Sequence, residues 1–202
     1  IATHAIGDAS CRMVLNVYEK LRGDFPDRIL RIEHSQIVHP DDLGRYNKLN
    51  VIPVIQSTHC ISDTAGMAQK NLSDKTLEYS YPWRSFLKNS VHFASSSDFP
   101  IEPHDPFTGI DGLVRRIPAG KTTPFNPEEI VSIDDALKSY TIWAHEAAGI
   151  TSRGMIKPGF DADLIILDKD PHHVPLSEMN KINIRAVFVN GKLRYQNNRQ
   201  KI

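Results

Sequence analysis

Three short segments of this chain decide its fold: His4-Ala5-Ile6-Gly7-Asp8, Arg31-Ile32-Glu33-His34-Ser35-Gln36 and Ser96-Ser97-Asp98-Phe99-Pro100. Each segment places a histidine or an aspartate at the C-terminal end of an apolar, strand-like run. Parallel β/α barrels carry their reacting groups at that end of their strands. Imidazole and carboxylate groups are suitable ligands for Zn²⁺ and similar divalent ions. The three segments therefore predict part of a hydrolytic metal centre.

The segments belong to a longer alternation of strand-like and helix-like sequence. The apolar runs cover residues 1–5, 29–33, 51–55 and 91–95, and helical patterns cover residues 8–22, 40–49, 66–72, 82–88 and a stretch ending near 116. Such alternation is typical of βαβ units with a parallel sheet. Pro53 weakens the third strand prediction, because proline cannot donate a ladder hydrogen bond. Since a closed β/α barrel needs eight strands, the four predicted strands indicate either an open α/β sheet or the second half of a barrel.

The sequence changes character after Gly120. A polar linker leads to a helix that Ser132 caps and that is predicted to run through Ala148, with Gly149 ending it. Farther on, residues 184–189 and 192–196 flank Asn190-Gly191, a pair that favours the type I′ turn of a β-hairpin. We therefore expect two domains, residues 1–150 and residues 151–202.

Composition excludes several classes of partner. Lys+Arg and Asp+Glu both number 24, so the formal net charge of zero predicts neither a nucleic-acid nor a membrane partner. The basic run over residues 194–201 is expected to be a solvated tail. Cys11 and Cys60 form no CxxC pair, which favours free thiols and a cytoplasmic location. Because Ile1 falls inside a strand-like run, we expect the chain to be a fragment of a longer product.

The three segments, taken together with two later ones, resemble a known family. Residues 159–171 are similar to the C-terminal strand signature of the metal-dependent amidohydrolase superfamily, and residues 136–149 are similar to the helix before it. The narrower resemblance is to amidohydrolase family 3, which includes enzymes like N-substituted formamide deformylase. It implies an α/β fold: strands five to eight of a distorted TIM-like (β/α)8 barrel, with the C-terminal strands of a small β-sandwich.

The resemblance also implies a reaction and roles for its residues. His4, His34 and Asp98 would be metal ligands, holding one or two divalent ions of which zinc is the expected one. Asp98 would act as general base and then general acid in the hydrolysis of a non-peptide C–N bond. The substrate would be a small-molecule amide or cyclic amide, and the protein could form a homo-oligomer.

Three further residues are candidates for supporting roles, each with a simpler alternative. His59, just beyond the third strand, is a candidate substrate contact or a surface histidine. Arg84 is a candidate substrate contact or a salt-bridged residue beside a packed Trp83. Asp8 either orients a metal ligand or caps a helix. Glu33 is not counted as a ligand, because strand alternation points it away from His34.

Ligands that the superfamily usually takes from earlier strands have no counterpart in this sequence. These are a His-x-His pair from the first strand and a carboxylated lysine or acidic residue from the fourth. We therefore expect the chain by itself to bind metal poorly and turn over little. A truncated, non-catalytic paralogue that serves as a binding or assembly partner is the alternative. An unrelated open-sheet α/β protein finds no support, because no Gly-x-Gly-x-x-Gly, P-loop or Gly-x-Ser-x-Gly is present.

Overall fold

A four-stranded parallel sheet and a three-stranded antiparallel sheet form the β-structure of residues 1–197, the part of the chain that the computed structural model describes. The parallel sheet has the order β1-β2-β3-β4 and the antiparallel sheet the order β5-β6-β7. The strands are β1 (Ala2–Ala5), β2 (Leu30–His34), β3 (Val51–Ile55), β4 (Ala94–Ser95), β5 (Leu164–Leu167), β6 (Ile184–Val189) and β7 (Lys192–Gln196). The α/β class and the parallel sheet are as the sequence predicts.

Helices connect the parallel strands and continue beyond them. They are α1 (Asp8–Asp24), α2 (Pro40–Lys48), α3 (Ser57–Asp63), α4 (Met67–Asn71), α5 (Asp74–Glu78), α6 (Trp83–Lys88), α7 (Pro106–Arg115), α8 (Ile133–Ser139) and α9 (Ile142–Ala147), with 3₁₀ turns at Pro127–Glu129 and Leu176–Lys181. The sequence patterns did not predict α3 and α5. None of the helices in residues 1–197 is long and apolar enough to cross a membrane.

The two faces of the parallel sheet are covered differently. Leu30 and Ile32 of β2 pack with Leu15 and Tyr18 of α1 in the main core, because their side chains alternate onto the helix-covered face. On the other face, Val54 and Ala94 pack with Ala144 and Ala147 of α9. The last helix of this region therefore covers part of the face opposite to the main core.

β4 is shorter than predicted, and this explains how β3 accommodates proline. Only Val54 and Ile55 of β3 pair with β4, whereas Pro53 stands opposite Ile32 of β2. At the level of Pro53 the sheet therefore has a strand on one side only, which is where proline is tolerated.

The helix predicted over residues 132–148 is wrong as a single element, because it breaks at Tyr140-Thr141. The Thr141 hydroxyl donates to the carbonyl of Leu137 at 2.7 Å, which competes with the backbone ladder. The backbone of Gly154 also packs so closely on Ile142 that a Cβ at residue 154 would lie 2.7 Å from the Ile142 nitrogen. The predicted ends are correct: Ser132 accepts from the Asp135 amide, and Gly149 has a φ of 74°.

The hairpin near the C-terminal end is confirmed. Asn190 and Gly191, with φ values of 51° and 70°, join β6 to β7 in the conformation that a type I′ turn requires. Met179 and Ile182, which lie between β5 and β6, belong to the main core and not to a separate one. The division at residue 150 stays a prediction, and residues 198–202 of the expected tail lie outside the described part.

Candidate metal centre

The carboxyl ends of the parallel strands bring three potential ligands together. His34 ends β2, His59 lies in the first turn of α3 directly after β3, and Asp98 follows β4. One ligand atom from each of these residues lies within 4.8 Å of the others. His34 and His59 are buried, while Asp98 is exposed at the open side. The group is therefore held by the fold and still reachable from solvent.

His4 lies next to this group and not inside it. Its ring meets the ring of His34 edge-on, with centroids 4.4 Å apart. The rings of His34 and His59 are nearly parallel, with centroids 5.9 Å apart and planes 13° from each other. Three imidazoles thus form a row along this edge of the sheet, with Asp98 beside two of them.

The backbone is strained at two of the group's members. His34 has a φ of 80° and Asp98 a φ of 54°, in the left-handed region that residues other than glycine rarely adopt. Such conformations cost on the order of 1–3 kcal/mol each and persist where the surrounding structure enforces them. The turn at His34 also ends the regular alternation of β2, so its side chain does not follow the pleat.

Strand alternation was the reason for not counting Glu33 as a ligand, and that reason was incomplete because the side chain of His34 does not follow the pleat. Glu33 is the register partner of His4, so both side chains point to the same face of the sheet. Burial raises the pKa of Glu33, Arg31 opposes that change, and the negative charge of Asp98 adds to it. Glu33 therefore lies within electrostatic reach of the group, and strand alternation alone could not show this.

Buried polar atoms without a hydrogen-bond partner are concentrated at the same edge. Five of the six such side-chain atoms in residues 1–197 belong to Glu33, His34, Gln56, Thr58 and His59, although Oε1 of Glu33 forms an ion pair with Nε of Arg31 at 3.2 Å. They include Nδ1 of His34 and Nε2 of His59, which are ligand atoms in metal proteins. Buried polar atoms without partners are unusual in folded proteins and are expected where an ion or polar ligand binds. The residues present therefore fit a divalent metal.

The surroundings of His34 favour the neutral form of its imidazole, which is the form that can bind a metal. Burial, followed by the neighbouring His4, lowers the pKa of His34, while Gln56 and Asp98 act in the opposite direction. A lowered pKa leaves the imidazole neutral at pH 7, which is the form that binds metals.

The other predicted site residues are placed as follows. Asp8 lies in the first turn of α1, where it accepts from the Ala9 amide and from the Tyr79 hydroxyl at 3.0 Å. Within residues 1–197 its hydrogen-bond partners do not include a histidine. Gly7, not Asp8, is the N-cap. Arg84 is exposed on α6 and lies away from the group of potential ligands. It lines a groove together with Leu87, Lys88, Ile130, Val131, Ser132 and Asp135. The N-cap alternative for Asp8 is therefore wrong, whereas its role in orienting a ligand and the substrate contact of Arg84 stay predictions.

His59 is where the structure adds most to the sequence analysis. The prediction placed it as a substrate contact, and the structure places it among the potential metal ligands. The sequence already indicated this position, because His59 follows β3 as Asp98 follows β4 and the strand-end argument applies to both residues.

Comparisons with known proteins agree with this geometry. Residues 1–195 match the model of the amidohydrolase family. The chain is 33% identical over 199 residues to Protein LONG AFTER FAR-RED 3 of Arabidopsis thaliana, covering 96% of this chain and 34% of that protein. It is 29% identical over 205 residues to N-substituted formamide deformylase of Arthrobacter pascens, covering 97% of this chain and 36% of that protein.

A solved structure is similar as well. An uncharacterized metal-dependent hydrolase from Pyrococcus horikoshii OT3 superposes with a TM-score of 0.76 at 32% identity, covering 87% of this chain and 35% of that one. The chain spans about a third of the length of the curated relatives it matches. Because the family model covers nearly every residue, and the ligand-type residues meet at one sheet edge, the chain belongs to the amidohydrolase family.

Proposed function

We propose that this chain carries part of the active site of a metal-dependent hydrolase that cleaves a C–N bond in a small-molecule amide or cyclic amide, not in a peptide backbone. The observation that carries the proposal is the grouping of His34, His59 and Asp98 with unpaired buried nitrogens at the carboxyl edge of the sheet. Family membership supports amide-type chemistry, and the relative named as a deformylase of N-substituted formamides supports a small substrate.

The proposed ligands are His4, His34 and Asp98, and His59, which lies beside them, is proposed to contact the substrate. Two imidazoles and a carboxylate are ligand types that Zn²⁺ commonly takes, and we propose that the site holds one ion or two. A bound ion would supply Lewis acidity, which lowers the pKa of a coordinated water and polarises the scissile carbonyl.

Asp98 is the residue proposed to move the proton. Its carboxylate is the exposed member of the group, so it faces the side from which substrate and water arrive. One oxygen of its carboxylate would accept a proton from the water whose oxygen bonds to the carbonyl carbon of the substrate. The same oxygen then returns that proton to the leaving nitrogen as the C–N bond breaks, so the residue ends the cycle unprotonated.

The proposal extends to the surroundings of the site. The parallel sheet would be strands five to eight of a closed barrel, and β5–β7 would be part of a small sandwich. Exposed apolar side chains of α1 support this arrangement, since Met13 is 67% exposed and Val17 is 50% exposed. Further protein, from the same product or from a second copy, would cover them.

The test uses the gene product that carries this chain. After removal of metal with a chelator and addition of Zn²⁺, we would measure hydrolysis of an N-substituted formamide, a cyclic amide and a dipeptide. We expect zinc-dependent cleavage of one of the first two and none of the dipeptide. Asp98→Asn should lower the rate by about 10²–10⁴-fold, the usual contribution of general acid–base catalysis.

Asp27→Asn is the matched control, because Asp27 is an exposed aspartate outside the site. It should leave the rate unchanged. A rate that survives both chelation and Asp98→Asn would contradict the proposal. Zinc binding without any hydrolysis would favour the alternative of a non-catalytic binding or assembly partner.

A further inference from the structure

The side-chain amide of Gln56 ties the end of β3 to the segment after β4. Its Nε2 donates to Oγ of Ser96 at 2.9 Å and to the carbonyl of Val54 at 3.3 Å. Gln56 is buried, with 3% of its surface exposed. The two contacts use both N–H groups of the amide, so the nitrogen end of the side chain has no further hydrogen to donate.

These contacts also fix which way the amide points. Rotating it by half a turn would place Oε1 against the carbonyl of Val54, and two acceptors cannot form a hydrogen bond with each other. Oε1 is therefore the end left over, and it is buried without a hydrogen-bond partner within residues 1–197. Because buried polar atoms are nearly always paired, this oxygen indicates that a donor belongs beside it.

His34 has a matching atom. Its Nδ1 is buried and makes no hydrogen bond within residues 1–197, whereas its Nε2 is not one of the buried unpaired atoms there. The left-handed backbone at His34 takes its side chain out of the alternation of β2. Burial and the neighbouring His4 lower the pKa of His34, and Gln56 opposes this change as a hydrogen-bond acceptor does. Oε1 is the only acceptor in the Gln56 side chain.

The position of one proton decides whether both buried atoms are satisfied. A neutral imidazole carries its proton on Nδ1 or on Nε2. With the proton on Nε2 of His34, its Nδ1 and Oε1 of Gln56 would be two buried acceptors without a donor. With the proton on Nδ1, this nitrogen can donate to Oε1, and the lone pair of Nε2 is left for a ligand. The second arrangement is favoured because it leaves neither buried atom unpaired.

We propose that Gln56 is a positioning residue, whose Oε1 accepts from Nδ1–H of His34 and so holds the ring with Nε2 free to bind the metal. The inference rests on the proposed metal-dependent function, in which His34 is a ligand. Partners of this kind fix the tautomer and ring orientation of ligating histidines, and their loss typically lowers metal affinity 10–100-fold.

The test separates the acceptor that Gln56 offers from its bridge to Ser96. Gln56→Met removes both at similar volume. Gln56→Glu keeps an acceptor but loses both donors, and Ser96→Ala loses the bridge but keeps the acceptor. Gln69→Met, at an exposed glutamine on α4, is the matched control.

Two quantities would be measured on the gene product that carries this chain. Zn²⁺ affinity would be obtained by competition with a chromophoric chelator. The tautomer of His34 would be read in the zinc-free protein at pH 8 from its ring ¹⁵N shifts, assigned by comparison with His34→Asn.

We expect zinc affinity to follow the acceptor and not the bridge. It should fall about 10–100-fold in Gln56→Met and stay within a few-fold of the original in Gln56→Glu, Ser96→Ala and Gln69→Met. His34 should be protonated at Nδ1 in the unmodified protein and in Ser96→Ala, and it should lose that preference in Gln56→Met.

A proton on Nε2 of His34 in the unmodified protein would overturn the inference, and this result does not depend on how any variant at Gln56 folds. Equal losses of affinity in Gln56→Met and Ser96→Ala would also overturn it, because the bridge would then be what matters. Unchanged affinity in Gln56→Met together with zinc-dependent hydrolysis would overturn the inference and leave the proposed function intact. If the protein binds no zinc while His34 is protonated at Nδ1, the proposed function fails and the hydrogen bond from His34 to Gln56 stands.

Discussion

Arg116 is a fully buried arginine whose guanidinium stacks 4.2 Å from the centre of the Trp83 ring. It donates to the carbonyls of Tyr81 and Phe125, at 3.1 Å and 2.8 Å. Arg116→Met would keep much of the packing but leave the Phe125 carbonyl unpaired, whereas the Tyr81 carbonyl still accepts from the Trp83 amide at 2.9 Å. We expect the free energy of unfolding to fall by about 1–3 kcal/mol, the usual cost of leaving a buried polar group unpaired. Urea unfolding followed by tryptophan fluorescence would measure it.

Arg84 provides the matched control at the same scale. It adjoins Trp83 in sequence but is exposed on the outside of α6. Arg84→Met should therefore change the free energy of unfolding by no more than about 0.5 kcal/mol. A larger cost for Arg84→Met than for Arg116→Met would contradict this assignment.

The same pair of arginines shows what single residues in a sequence reveal about their partners. The sequence pointed to a packed tryptophan beside an arginine, but the arginine on Trp83 comes from 33 positions farther along. His34 and Asp98 could be predicted because a strand end is a local feature. The partners of His59 and Trp83 depend on tertiary packing, which no local pattern encodes.

At the scale of elements, α7 packs closely on its neighbours because it carries glycine where they meet. A Cβ at Gly109 would lie 1.8 Å from the Tyr140 hydroxyl and 3.1 Å from Oγ of Ser57 in α3. Gly109→Ala must displace Tyr140, which is partly buried and packs against the main core. We expect a loss of about 1–3 kcal/mol in the free energy of unfolding, the usual cost of overpacking. Thermal unfolding by circular dichroism would detect it.

Gly44, inside α2, is the contrasting glycine. Its added Cβ would have Asn89 Oδ1 as its nearest contact at 3.9 Å, which is ordinary van der Waals contact. Gly44→Ala should therefore be neutral or stabilising by up to about 1 kcal/mol, because alanine favours a helix. Equal effects of the two substitutions would show that close packing around α7 is not what selects glycine there.

Element boundaries follow from the same contacts. Helical periodicity located α1, α2 and the start of α8 because their apolar stripes are local. At the break between α8 and α9, the backbone of Gly154 packs closely on Ile142 from outside the helix. Periodicity predicts which face of a helix is buried, but it does not show where a distant backbone interrupts the helix.

At the scale of the whole molecule, two kinds of contact join the region after residue 150 to the parallel-sheet region. One is the core that the two regions share, and the other is a set of polar contacts. His172 bridges Asp134 of α8 and Asp170, with Nε2 2.9 Å from an Asp134 oxygen and Nδ1 3.2 Å from an Asp170 oxygen. His173 also contacts Asp170, at 2.7 Å. These exposed groups form a polar bridge between the two regions predicted as domains.

The bridge makes stability depend on pH in a definite direction. The hydrogen bond to Asp134, followed by that to Asp170, raises the pKa of His172. Because the pKa is higher in the folded state than the value of about 6.5 for an unfolded histidine, protonated His172 stabilises the fold below that value. This contribution is lost as the pH rises through the folded pKa.

We therefore expect the melting temperature to fall more between pH 5.5 and pH 8.5 in the unmodified chain than in His172→Gln. The difference should be small, because exposed ion pairs contribute little, and it should shrink in high salt. His145→Gln, at a histidine of α9 outside the bridge, should keep the original pH dependence. If His172→Gln also keeps it, the bridge contributes nothing to the joining of the two regions.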